Sequence, residues 1–214
     1  MSQTASARTT THRATRPIAI VLFVAVAAII GTFVVRSAPT SGPSFIDALR
    51  HDRSGAAAQA DGVVTEADGV LPDGVTVFDD GYPGVANLDP HLLQVLRQAA
   101  TDAAANGIEF YVNSGWRSPE FQDQLLREAV ADYGSEAEAA RWVATPETSA
   151  HVSGNAVDIG SSDATAWLSA HGAGYGLCQT YANESWHYER HPEAIDRGCA
   201  GMYADPTQDP RMQQ

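Results

Sequence analysis

Ile18 to Val35 reads IAIVLFVAVAAIIGTFVV, 18 residues without a charge. No other feature constrains the chain as much, because it decides where the rest can lie. As a helix at 1.5 Å per residue it would span roughly 27 Å, close to the hydrocarbon thickness of a bilayer. A helix buried in a soluble core would show a polar face, and this run has none. Arg8, Arg13 and Arg16 precede it without an acidic residue among them. Positive charge before a first span favours a cytoplasmic N-terminus, which puts everything after Val35 outside the membrane. A cleaved signal peptide is the competing reading. The run exceeds a usual signal h-region, no clean A-x-A site follows it, and Pro39 and Pro43 stand where cleavage would fall. A retained anchor is therefore the favoured reading. It divides the chain into a cytoplasmic tail (1–17), a transmembrane anchor (18–35), a stalk (36–70), a folded domain (71–203) and a loose C-terminal tail (204–214).

Charge and cysteines agree with an exterior domain. Residues 1–36 hold four arginines and no acid, which leaves nine basic against 26 acidic groups in 37–214, a net of −17. Such a surface repels nucleic acid, so that partner class is excluded. All 13 basic residues are arginine, in keeping with a GC-rich coding bias. Outside a membrane, the pair Cys178 and Cys199 implies a disulfide rather than free thiols. It would close a loop of about 20 residues around His187, worth ~3 kcal/mol by loop entropy. Isolated cysteines without C-x-x-C spacing do not suit a zinc knuckle.

The stalk is rich in Ala, Gly, Ser and Asp, with at most a short helix near Phe45–Arg50. Asp89-Pro90 is a cap followed by an N1 proline, and opens a helix whose apolar face is Leu92, Leu93, Val95, Leu96 and Ala99. Gly107 ends it, and IEFYVNS (108–114) reads as a strand. Ser118-Pro119 starts a second helix with Phe121, Leu125, Leu126 and Val130 inward. Ser135-Glu136-Ala137-Glu138 matches a capping box for a third. AVDI (156–159) reads as a short strand, Ser162 or Asp163 caps a helix through Trp167 and Leu168, and WHY (186–188) sits in a final strand. Helices and short strands mix without a βαβ rhythm or an internal repeat, so the class is α+β.

The chemistry lies in two segments. In Ser149-Ala150-His151-Val152-Ser153-Gly154-Asn155-Ala156-Val157-Asp158, His151 offers an imidazole nitrogen and Asp158 a carboxylate oxygen, both suited to zinc. Gly154-Asn155 interrupts any helix between them and lets a turn fold both side chains toward one point. The third candidate is His187, in Glu184-Ser185-Trp186-His187-Tyr188. Two histidines and one carboxylate leave a tetrahedral position open, the pattern of a catalytic rather than a structural zinc. A nearby glutamate could then act as base. A lone histidine is most often a surface or hydrogen-bonded residue, so the ordered combination carries the reading. If 186–190 is a strand, His187 and Glu189 share a face, and periodicity alone admits Glu189 as base or as a partner orienting His187.

Ser-x-His-x-x-Gly-x-Ala-x-Asp at 149–158, followed by Glu-x-Trp-His at 184–187, resembles the VanY-type D-alanyl-D-alanine carboxypeptidase family of zinc peptidases. Ser114-Gly115-Trp116-Arg117-Ser118-Pro119 is similar to that family's Gly-aromatic-Arg-Ser element. The resemblance covers roughly residues 73–192. It implies a small domain of the hedgehog/D,D-peptidase kind, a short antiparallel sheet with flanking helices. It implies that His151, Asp158 and His187 hold Zn2+, that Glu184 is the base, and that Arg117 stabilises the oxyanion at the scissile carbonyl. Ser149 and Gln122 are implied as substrate contacts, and Trp186 and Tyr175 as residues lining or buttressing the cleft.

The implied reaction is hydrolysis at the D-amino-acid end of peptidoglycan stem peptides, and an exterior membrane anchor agrees with that substrate. The same site could serve an L,D-carboxypeptidase, a D,D-dipeptidase or an endopeptidase; a non-catalytic wall-binding module that keeps the fold is a further alternative. Arg190 and His191 depart from the small apolar stretch that follows Trp-His-Tyr in the family, and the cysteine pair is an addition. The sequence does not set the oligomeric state.

Overall fold

Residues 63–213 are described by the computed structural model. The expected cytoplasmic tail, anchor and most of the stalk, with the short helix near Phe45–Arg50, lie outside them. Among the described residues no helix is long and apolar enough to cross a membrane. In chain order the elements are α1 (Pro83–Ala86), α2 (Pro90–Ala104), β1 (Tyr111–Ser114), α3 (Pro119–Tyr133), α4 (Glu136–Ala139), β2 (Ala156–Gly160), α5 (Ser162–His171), β3 (Leu177–Gln179), β4 (His187–Arg190) and α6 (Ala194–Arg197). Single 3-10 turns occur at Glu66–Asp68, Gly172–Tyr175, Pro206–Gln208 and Pro210–Gln213. The strands form one antiparallel sheet in the order β1-β2-β4-β3, which is the α+β architecture read from the sequence.

Local chemistry explains the long helices. The Asp89 carboxylate accepts from the N–H groups of His91 and Leu92 at 2.9 and 3.1 Å, and Pro90 fills N1. These satisfy donors that a helix start leaves open. Leu92, Leu96, Ala99, Ala100 and Ala103 then form one buried stripe along α2. In α3, Ser118 caps the Phe121 N–H, Pro119 fills N1, and Gly134 in the left-handed region ends the helix. Gln122, Leu125 and Ala129 are its fully buried residues. The expected stripe of Phe121, Leu126 and Val130 is only partly covered. Leu126 and Val130 instead line a cavity of about 560 Å3 with Val143, Pro206 and Met212. The helix is rotated from the apolar pattern because Gln122 faces inward to bond Arg117 and the Ala144 carbonyl.

Strand alternation sorts the sheet into two faces. Val112, Val157, Ile159, Leu177 and Tyr188 join α2 and α5 residues in the main core, with Leu92, Leu96, Phe110 and Leu168 among its members. The opposite face carries Asp158, His187 and Glu189. All of β2 is buried, so both faces are covered there.

Several boundaries differ from the sequence reading. The first strand covers Tyr111–Ser114, not 108–114, because β2 ends at Gly160, the partner of Tyr111. Ser161, at φ 68, caps α5 in place of Ser162 or Asp163. The last strand is His187–Arg190, one residue later than WHY, and β3 and α1 had no clear sequence signal. Ordered structure starts before Leu71: Thr65 caps the first turn, and Asp68 receives both the N–H and the hydroxyl of Ser118. Residues 204–213 are not a loose tail. Asp209 is fully buried and holds Arg211 and Tyr181, which ties the segment to the sheet. Cys178 and Cys199 form the expected disulfide.

Candidate metal centre

The β2–β4 register sets Asp158 directly opposite His187. Directly opposed residues in an antiparallel pair project to the same face with Cβ atoms about 5 Å apart. The sheet therefore delivers two of the expected ligands side by side. His151 arrives from the turn before β2. Gly154 makes that turn possible. Its φ is +75, and a Cβ there would lie 2.6 Å from the Asn87 carbonyl oxygen. Its own carbonyl accepts from Asp89 N–H at 2.8 Å, which locks the turn onto the start of α2.

The result is a triangle of ligand atoms. His151 Nε2 and His187 Nδ1 are 3.2 Å apart, and each lies 3.3 Å from Asp158 Oδ1. Ligands held at 2.0–2.1 Å in a tetrahedron are about 3.3 Å from each other, so the triangle fits a zinc-sized ion with a fourth position open. Among the described residues these three form a buried cluster able to hold a metal ion.

Each ligand is oriented through its other polar atom. His151 Nδ1 donates to the Gly115 carbonyl at 2.8 Å, which turns Nε2 into the triangle. His187 Nε2 donates to Glu189 Oε1 at 3.2 Å, which turns Nδ1 inward. Asp158 Oδ2 accepts from Arg117 at 2.8 Å and leaves Oδ1 for the ion. Arg117 is itself fixed by Ser114 Oγ at 2.7 Å and Gln122 Oε1 at 3.1 Å. A β-bulge between Val112 and Ser114 sets Ser114 opposite Asp158 and so within reach of the same guanidinium.

Gly115 is constrained twice. Beyond accepting from His151, it packs so closely that a Cβ would sit 2.0 Å from the Gly84 carbonyl oxygen. Gly115→Ala should cost about 1–3 kcal/mol of stability. It should also weaken zinc binding, because the displaced carbonyl no longer holds the ring. Urea unfolding of the metal-free protein and a zinc titration check the two effects separately.

Glu184 is the carboxylate that faces the triangle without a fixed task. Its Oε2 is 3.7 Å from His187 Nδ1, and its buried Oε1 has no hydrogen-bond partner among the described residues. Burial raises its carboxyl to about 7, opposed by the positive charge of His187 and Arg117. Glu189 differs. Burial would raise it, but the bonds from His187 and Arg211 bring it down to about 2. It is an ionised partner of His187, held by Arg211 at 2.7 and 3.1 Å. Asp158 would also rise on burial, but His151, His187 and Arg117 hold it well below the usual carboxyl range. For His187, burial works against the charged form, yet its bonds to Asp158 and Glu189 raise it to about 10.

Of the other expected site residues, Ser149 and Gln122 are buried. Trp186 is half-buried in the turn before β4 and accepts from Ile159 N–H through its carbonyl. Tyr175 bonds Asp102 of α2 and packs on Trp167 of α5, at 5.8 Å between rings. None of these Tyr175 partners belongs to the triad. Residues that sequence reasoning gave no role include Ser114 and Gly115, which lay inside the quoted motif, and Tyr181, whose ring lies 5.1 Å from that of His187. Arg211 carried no signal at all, being 22 residues from the carboxylate it holds.

The family model described as "VanY: D-alanyl-D-alanine carboxypeptidase" matches residues 86–193. The D-alanyl-D-alanine carboxypeptidase of Enterococcus faecalis (strain ATCC 700802 / V583) is 31% identical over 126 residues, covering 47% of this chain and 47% of the relative. The chain therefore spans about half the length of the curated relative it matches. A variant of the vancomycin-resistance D,D-pentapeptidase VanY from a VanB-type cassette, solved with Zn(II), is 30% identical. That match covers 48% of this chain and 72% of the other, with a TM-score of 0.46. VanYB in complex with D-alanine-D-alanine is 29% identical over 52% of this chain and 74% of the other, with a TM-score of 0.48. The matched residues 86–193 include all three triad ligands, Arg117 and Glu184, and on that match the chain belongs to the VanY family of D-alanyl-D-alanine carboxypeptidases.

Proposed function

We propose that this chain is a zinc-dependent D,D-carboxypeptidase that removes the terminal D-alanine of peptidoglycan stem peptides, working outside the cytoplasmic membrane on an N-terminal anchor. The observation that carries the reading is the buried triangle of His151 Nε2, His187 Nδ1 and Asp158 Oδ1 with Glu184 facing it at 3.7 Å. His151, Asp158 and His187 would hold the ion. When bound, zinc supplies a Lewis acid that acidifies water and polarises a carbonyl.

The protein's own groups do the rest. Glu184 Oε1 has no hydrogen-bond partner among the described residues, so it can take a proton from the attacking water. The water oxygen bonds to the carbonyl carbon, the C–N bond breaks, and Glu184 returns the proton to the departing amine. Arg117 keeps a fixed cation beside Asp158 and adds positive charge where negative charge develops on the carbonyl oxygen. The unlike fates of the two candidate carboxylates support Glu184 over Glu189 as base: Glu189 is committed to His187 and Arg211. The expected anchor at 18–35, the acidic exterior charge and the disulfide agree with action on the cell wall.

Mass spectrometry of a muropeptide digest, with and without chelator, tests this reading. Pentapeptide stems should become one alanine shorter, and a chelator should stop the change. Release of two residues at once would make the enzyme a dipeptidase, and shortening of tetrapeptides alone an L,D-carboxypeptidase. Intact stems in the presence of zinc would leave a wall-binding module.

A further inference from the structure

The C-terminal segment that the sequence suggested was loose crosses the back of the metal site. Tyr203 pairs with Tyr181 through backbone bonds to Thr180 and Ala182. Asp205 is held by Arg141 at 3.0 Å. Asp209, fully buried, accepts from the Tyr181 hydroxyl and from Arg211. These contacts bring Arg211 onto Glu189, with one nitrogen on each carboxylate oxygen at 2.7 and 3.1 Å. Glu189 Oε1 in turn receives His187 Nε2 at 3.2 Å. The family match ends at residue 193, so this segment lies beyond it.

We propose that Arg211 is a positioning residue for the metal centre: its forked grip fixes the Glu189 carboxylate, and Glu189 fixes the His187 ring with Nδ1 toward Asp158 and His151. The inference rests on the metal-site reading above. Its physical basis is the planar guanidinium, which sets a carboxylate's position and its plane together, where a single donor would set only a distance. Without that grip, the Glu189 carboxylate can turn about its own bonds and the imidazole can turn with it. Groups that orient ligands in this way typically change metal affinity by about 10–100-fold when removed.

The decisive comparison uses the full chain, stripped of metal, with Zn2+ titrated against a chromophoric chelator and Co2+ followed by its visible absorption. Arg211→Ala should weaken Zn2+ binding by about 10–100-fold and change the Co2+ spectrum, and added methylguanidinium should restore both. Arg211→Lys, which keeps the charge but not the fork, should fall between. Arg141→Ala loosens the same segment at Asp205 without touching Glu189, and should move neither measurement. The proposal is overturned if Arg211→Ala binds both ions as the unaltered chain does, or if Arg141→Ala reproduces its losses. Should Arg211→Ala fail to fold, an unaltered affinity and spectrum in Arg211→Lys overturns it. If the unaltered chain binds Zn2+ no better than His187→Ala, the metal reading itself fails and takes this inference with it.

Discussion

Glu184→Gln yields a protein that still folds and still binds zinc, while kcat on a synthetic pentapeptide falls by about 10^2–10^4-fold, the span general acid–base catalysis usually supplies. Glutamine keeps the shape and removes the proton acceptor. The carboxylate is buried, its Oε1 has no hydrogen-bond partner among the described residues, and it meets the positive charge of His187 and Arg117 only through space, with His187 Nδ1 at 3.7 Å. Burial outweighs the attraction of His187 and Arg117 for this carboxylate, so removing its charge should hold the stability of the variant level or raise it slightly. Zinc content and kcat measured on the same preparation check the result. Full activity in Glu184→Gln with zinc bound would remove Glu184 as base.

Arg117→Met is expected to damage both stability and turnover. The guanidinium side chain is 13% exposed and its partner Asp158 is 4% exposed, so the pair is shielded from water. Removing one partner of a buried pair typically costs about 3–5 kcal/mol, because a charge is left uncompensated. In the metal-free protein the loss is tempered because His151 and His187 also hold Asp158, and it should shrink further when zinc is present. Asp158 has a folded pKa below its ordinary 3.8, so its contribution to stability is present above that value and fades as pH falls through the depressed range. Unfolding curves of variant and parent should therefore converge in acid. Turnover by the zinc-loaded variant should drop by about 10^2–10^3-fold if Arg117 also steadies the oxyanion. A loss confined to stability would limit Arg117 to holding Asp158.

The two segments that meet in the candidate metal cluster were legible because each is local in the chain. His151, Gly154 and Asp158 sit within one turn and strand, and Glu184 and His187 sit three residues apart. Helix starts were legible for the same reason, since Asp89-Pro90 and Ser118-Pro119 act on neighbouring N–H groups. What escaped notice depends on distant parts of the chain. The three-residue β3 exists because β4 offers it an edge, and Gln122 is buried because Arg117 needs an acceptor. The choice between Glu184 and Glu189 could not be made from alternation, which puts Glu189 beside His187 but says nothing of Arg211. The same blindness made 204–213 look loose: its polar residues read as solvated until their buried partners are known.

The pairing of Asp158 with His187 across β2 and β4 ties metal retention to correct folding. The two residues are far apart along the chain, and an unfolded polypeptide cannot bring them together cheaply. A slip of one residue in that ladder would turn Val157 or Tyr188 into the ligand position and point a true ligand into the apolar interior. Only a chain with its strands in proper alignment can retain the ion. Metal content in a fresh preparation is therefore also a measure of the fraction correctly folded.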